Sequence, residues 1–156
     1  IDYTRPFTVA ASDQVDLGRL AEEVVAAERA QAGPPISWAV QPGGVPPIRG
    51  SADHLRQMLR LLIANAREAM PEAGGAITLA TSLDSRGWIL LEIRDTGRGM
   101  PPEVLERAVE PFFTTKPGHY GVGLNIANGI WRRHRGTVSV LSQEGSGTQV
   151  RLGVAP

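Results

Sequence analysis

Hydrophobic positions along this chain change their period several times, and each change marks an element. In "VDLGRLAEEVVAAERAQAG" (15–33) Leu17, Leu20, Val24 and Ala27 recur on one helical face, with Asp16 placed to cap the start and Gly33 to close the end. The strongest helical stretch is "SADHLRQMLRLLIANAREAMPEAGG" (51–75), where Leu55, Met58, Leu59, Leu62, Ala66, Ala69 and Met70 form the stripe. Ser51 or Asp53 can cap it, and Pro71 with Gly74-Gly75 ends it. Period two governs "ISWAVQ" (36–41), "AITLATSLD" (76–84) and "GWILLEIRD" (87–95), which predicts strands. "TVSVLSQ" and "TQVRLGV", joined through "EGSG", predict a closing hairpin. The Pro/Gly loop at 42–50 has room for a short edge strand around Ile48, and Pro101-Pro102 opens a short helix over 101–108. A glycine-rich loop then leads into a helix near 122–134.

This order of elements predicts an α+β fold: a two-layer sandwich of a mixed, mostly antiparallel sheet with about three helices on one face. A length of 156 residues fits one domain with a real core, and the composition, 42% hydrophobic and 21% charged, is that of an ordinary globular chain. Sixteen basic residues balance sixteen acidic ones, so no global field favours nucleic acid or an anionic membrane, and neither is expected as a direct partner. The one local basic run, "WRRHRG" (131–136), is short. Cysteine is absent, which removes disulfides, thiol nucleophiles and Cys-based zinc sites together and fits a reducing compartment. The opening "IDYTRPF", without an initiator Met, reads as the cut edge of a longer chain. A cytoplasmic location is expected for this part, whether or not the parent is membrane-anchored.

Three places look costly for a plain globular domain. Asp95 continues the face of Ile89, Leu91 and Ile93, so a carboxylate arrives at the edge of the core. It either turns to solvent or meets a ligand that offers a hydrogen, and the "TGRGM" behind it permits a close backbone approach. Asn65 interrupts an apolar helix between Ala64 and Ala66; it is either bonded to backbone or left facing something that approaches. In "EPFFTTKPGHYGVGL" (110–124), Gly118, Gly121 and Gly123 surround a helix start beside Lys116, which reads as a flexible loop or as a phosphate site without the Walker spacing. His54, His119 and His134 share no metal-binding spacing and read as structural or solvated.

Taken together and in order, these stretches resemble the ATP-binding catalytic domain of bacterial sensor histidine kinases, of the superfamily that includes gyrase, heat-shock chaperone and mismatch-repair ATPases. "LRQMLRLLIANAREAM" is similar to the asparagine box, "DTGRGM" to the first glycine box, "EPFFTTK" to the phenylalanine box, "GHYGVGL" to the second glycine box and "GSGTQVRL" to the closing one. The resemblance runs from about Val15 to the C-terminus, with residues 1–14 similar to the segment leaving the family's dimerisation helices. It implies the ATP-binding (Bergerat-type) fold, with Asp95 accepting from the adenine amino group, and with Gly97, Gly99 and Met100 lining the base. It implies that Asn65 holds Mg²⁺, that Lys116 belongs to a lid over the phosphates, and that Gly121, Val122, Gly123 and Leu124 open the helix facing the phosphates. Thr148 is implied close to adenine through water. The implied activity is γ-phosphoryl transfer from ATP to a histidine on separate dimerisation helices, with a response regulator downstream in two-component signal transduction. Asn65 and Lys116 are the implied catalytic pair. Phe112-Phe113 is then a hinge anchor that buries aromatic area at one end of the lid.

Three positions depart from the family pattern. Leu61 stands one turn before Asn65, where the family carries Asn, or Glu in the hydrolysing ATPases, and it can neither ligate Mg²⁺ nor orient water. His119 replaces the usual glycine two places before Gly121, and the basic residue expected after the asparagine box is offset, with Arg67 where several family members carry Arg but Glu68 beside it. His54 lies in the domain's own helix without the acidic neighbour of a phosphoacceptor. Leu61 favours an alternative, a nucleotide-binding pseudokinase with weak or no phosphotransfer. An anti-sigma-type serine kinase shares the fold, but would not need the "DYTRPF" linker.

Overall fold

The computed structural model describes residues 14–106 and 120–156, with only the backbone given for 120–123. The expectations placed on residues 1–13, on the Phe112-Phe113 anchor, on Lys116 and on His119 lie outside the described residues.

Two amphipathic helices open the helical layer. Helix α1 (Leu17–Arg29) begins at Asp16, whose carboxylate accepts the Arg19 backbone N–H at 3.1 Å. Its buried stripe is Leu17, Leu20, Ala21, Val24 and Val25. Ala27, expected on that stripe, is exposed: it falls at the stripe's edge, where a methyl group is too short to reach the core. Helix α2 (Ala52–Glu68) is capped by the Ser51 hydroxyl and buries Leu55, Met58, Leu59, Leu62, Ile63 and Ala66. It stops at Ala69, before Pro71, and Gly74 turns the chain at a φ of 85° into the sheet.

The strands form a five-stranded sheet in the order β2 (Ile36–Gln41), β4 (Gly75–Leu83), β5 (Ile89–Asp95), β7 (Gly147–Val154), β6 (Thr137–Gln143). Only β2 and β4 are parallel; the other pairs are antiparallel. The stretch expected as an edge strand near Ile48 is β3 (Ile48–Arg49), which pairs instead with β1 (Gln14–Val15) in a separate two-stranded sheet. Period two sorts the main sheet into two faces. Ile77, Leu79, Ile89, Leu91, Ile93, Val150 and Leu152 are buried beneath the helices. The opposite face carries Glu92, which accepts from Arg94 at 2.9 Å, Gln149 at 2.8 Å and Arg151 at 3.4 Å.

Beyond the short α3 (Pro102–Leu105), α4 (Tyr120–Arg133) packs antiparallel to α2, making four described helices where about three were expected. Trp131 anchors α4: fully buried, it donates through Nε1 to the carbonyls of Thr137 at 3.0 Å and Gly153 at 3.2 Å. Next to it His134, 6% exposed, joins the two helices. Its Nδ1 meets the Ile130 carbonyl at 2.9 Å, and its Nε2 accepts the Ser51 backbone N–H at 3.0 Å. That geometry requires the neutral ring protonated on Nδ1. Burial chiefly, with the nearby His54 adding to it, holds the imidazole below its ordinary pKa, against the Ile130 hydrogen bond.

Because the folded pKa lies below the unfolded one, this contribution to stability is complete above about pH 6.5 and is lost as pH falls through the folded value. The melting temperature of the chain should therefore drop on acidification below about pH 6.5, more steeply than that of His134→Leu, followed by circular dichroism; equal slopes would remove the clamp from the account.

Candidate functional site

The carboxyl end of β5 meets the amino end of β7, the last turns of α2 and the first turns of α4. Asp95 is the last residue of β5 and lies opposite Thr148 in register. Its Oδ1 accepts the Gly97 N–H at 2.9 Å, and the Thr148 backbone N–H also reaches it. Burial pushes its carboxyl above the usual aspartate range, and these two N–H groups oppose that rise. A carboxylate has acceptor capacity for more than two partners.

Gly97 and Gly99, expected to admit a ligand, are required first by the protein's own backbone. A Cβ at Gly97 would lie 2.7 Å from the carbonyl oxygen of Ala69, and Gly99 has a φ of 70° against the backbone of Gln143. The turn thus crosses the end of α2, where Arg98 N–H bonds the Ala69 carbonyl at 2.9 Å, and delivers Met100 into the core at 1% exposure. The Met100 N–H donates to the Ser142 hydroxyl of β6 at 2.8 Å.

From α2, Asn65 presents an amide whose Nδ2 is buried and has no hydrogen-bond partner. An orphaned buried donor of this kind costs about 1–3 kcal/mol unless something fills it. From α4, Leu124 closes the wall at 3% exposure, and Tyr120–Gly123 form the first turn, whose N–H groups have no partner within the helix. Asn65, Asp95, Met100, Leu124 and Thr148 line one cavity with Leu62, Ala66, Ile93 and Val150. Its volume is about 20 Å³, room for a single water but not for a purine. A planar ligand would have to part α4 from the sheet. The apolar walls and the acceptors at the rim suit a flat ring that bears an amino group.

Among the described residues no three His, Asp or Glu converge on a metal. The donor set still fits Mg²⁺ in one form: a single amide oxygen from Asn65 leaves the remaining positions to phosphate and water, as this ion favours. Leu61, half-buried one turn earlier, adds no ligand. Arg67 does not join the site. It pairs with Glu28 at 2.7 Å and bonds Gln31 and the Ala32 carbonyl, tying α2 to the end of α1. The residue that sequence reasoning missed is Ser142, and its signal was present: it continues the inward face of Val138 and Val140 as the one polar side chain there.

The family described as histidine kinase-, DNA gyrase B- and HSP90-like ATPase matches residues 50–156. The chain belongs to this family. Sporulation kinase E of Bacillus subtilis is 36% identical over 104 residues, covering 67% of this chain and 14% of that protein. Among solved structures, ShkA, described as full-length in complex with AMPPNP, superposes with a TM-score of 0.75 at 27% identity, covering 94% of this chain and 32% of that one. The mycobacterial sensor histidine kinase MprB shares the fold at a TM-score of 0.75 and 23% identity, over 91% and 95% of the two chains. The chain spans 13% to 23% of the length of the curated relatives it matches. It is thus a histidine kinase-type ATPase domain, and no helix among its described residues is long and apolar enough to cross a membrane.

An orphaned amide is a stability cost kept at this site. Asn65→Leu, matched in heavy-atom count and branching and a better helix former, should raise the unfolding free energy by about 1 kcal/mol in urea titrations of the free domain. A loss of stability instead would mean that the amide is satisfied.

Proposed function

We propose that this domain binds ATP with Mg²⁺ and donates the γ-phosphate to a histidine on the dimerisation helices of the same kinase, for onward two-component signalling. The observation that carries the reading is the convergence of Asp95, Thr148 and the unpartnered Asn65 amide on one apolar-walled cavity. The family match and the nucleotide analogue named for ShkA support the choice of ligand.

In this reading Asp95 accepts the adenine amino hydrogen, Thr148 stands beside it through water, and Met100, Gly97, Gly99 and Leu124 shape the wall around the ring. The amide oxygen of Asn65 would hold Mg²⁺, which would supply positive charge to the phosphate oxygens. The N–H groups of Gly121, Val122 and Gly123, at the positive end of α4, face the phosphates, and Lys116 adds a positive charge. The domain contributes position and electrostatics, and residues 1–14 lead back toward the helices that carry the acceptor. Catalysis then belongs to residues 15–156 together with those helices.

Leu61 favours a second reading, in which the domain binds nucleotide and acts through its conformation with little phosphotransfer. It removes the donor one turn before Asn65 and leaves the ion a single side-chain ligand.

Isothermal titration with ATP, with and without Mg²⁺, tests the site. Asp95→Asn should weaken ATP binding about ten- to a hundredfold, the worth of a hydrogen bond to a charged group; unchanged affinity would sink the adenine assignment. Leu61→Asn should strengthen the Mg²⁺-dependent part of the binding. Radiolabelled phosphotransfer in the full-length parent separates the two readings: histidine labelling supports the kinase, and ATP binding without labelling supports the regulatory module.

A further inference from the structure

Ser142 makes contacts that reach beyond its own strand. It accepts the Met100 backbone N–H at 2.8 Å, lies 3.1 Å from the Gly147 carbonyl, and lies 2.7 Å from the Thr148 hydroxyl. A serine hydroxyl has one proton and two lone pairs. The Gly147 carbonyl can only accept, so the Ser142 proton is used there. Met100 N–H takes one lone pair, and the second is left for Thr148. The Thr148 hydroxyl must then donate to Ser142, which turns its own lone pairs toward the cavity that it lines with Asp95. Both polar groups at this rim of the cavity are thereby acceptors.

We infer that Ser142 is a positioning residue for base specificity: by holding the Thr148 hydroxyl as an acceptor, it makes the cavity reject 6-oxopurines and select 6-aminopurines. The inference deepens the proposed adenine site and rests on it. With an amino ligand, Asp95 and Thr148, directly or through a water, receive hydrogens or leave none facing each other. With a 6-oxo ligand seated against Asp95 and Thr148, the exocyclic carbonyl oxygen meets two acceptors at this rim, and a buried polar atom without a donor is penalised. If Ser142 is removed, the Thr148 hydroxyl is released to rotate and donate to that oxygen, so the rejection softens. Ser142 also pins Met100, so its loss slackens one wall; that effect acts on both kinds of purine alike and does not alter their ratio.

The test is the ratio of ATP to inosine triphosphate affinities, measured by isothermal titration on the 156-residue chain. Wild type should favour ATP. In Ser142→Ala the preference should narrow about tenfold, the change expected for one neutral hydrogen bond. Ser142→Thr, which restores the hydroxyl, should recover the preference. In a Thr148→Val background the further change Ser142→Ala should leave the ratio unaltered, because the group that Ser142 orients is gone. Equal weakening of both nucleotides in Ser142→Ala, with the ratio intact, would overturn the inference and leave the adenine site standing. A wild type that binds ATP no better than the inosine nucleotide would overturn the adenine site and the inference together. Circular dichroism of each variant confirms that the fold is retained.

Discussion

Asp95 holds a carboxylate at a depth where burial already disfavours its charge, and two backbone N–H groups reach it, from Gly97 and Thr148. The surroundings follow from that placement. The alternation that buries Ile89, Leu91 and Ile93 brings Asp95 onto the same inward face, so the carboxylate cannot leave the core's edge without unseating the strand. The register that pairs β5 with β7 sets Thr148 opposite it, and the register of β6 sets Ser142 beside Thr148. The tight turn through Gly97 and Gly99 then returns Met100 to the same place. A single strand end thus organises acceptors, apolar wall and backbone donors within one small space.

The helical layer is tied unevenly around that space. α2 and α4 run antiparallel, and the His134 link joins the start of one to the end of the other. Trp131 fastens the same end of α4 to the β6–β7 hairpin. Arg67 fixes the far end of α2 to α1, away from α4. Asn65 and Leu124 lie at the opposite end of the α2–α4 pair from the histidine. The cavity with room for one water lies at the end of the pair opposite these ties. The unpartnered amide of Asn65 and the apolar Leu61 one turn before it stand on α2.

Residues whose roles depend on local period were readable from the chain. The stripe of α2 identified Leu55 through Ala66 as core, and the alternation of β5 identified Asp95 as an inward charge, because each pattern repeats within a few residues. Asp16 was readable as a cap for the same reason, and Ser51 as one of two candidates beside Asp53. Arg67 was not: on the helix surface it is three residues from any number of roles, and only the packing of α1 supplies Glu28 as its partner. Ala27 shows the converse, a position of suitable period left exposed because a methyl side chain stops short. Gly97 and Gly99 were readable as special, but their reason was not, since the backbone they make room for lies at Ala69 and Gln143.

The amino-acid sequence by itself determined the α+β layering, the inward faces of the helices and strands, and the candidate set of Asn65, Asp95, Met100, Leu124 and Thr148. The layering and the inward faces follow from side-chain period, a property of neighbouring residues, and the candidate set from the resemblance of the motifs, in their order, to those of the family. Only the tertiary structure decided that those five line one cavity, that β3 leaves the main sheet for β1, and that Ser142 sits between Met100 and Thr148. Such contacts join separate elements, as Met100 and Ser142 do across 42 positions, and they depend on strand order and register. Shifting one strand by a residue would leave every local pattern intact and turn its inward side chains to the opposite face.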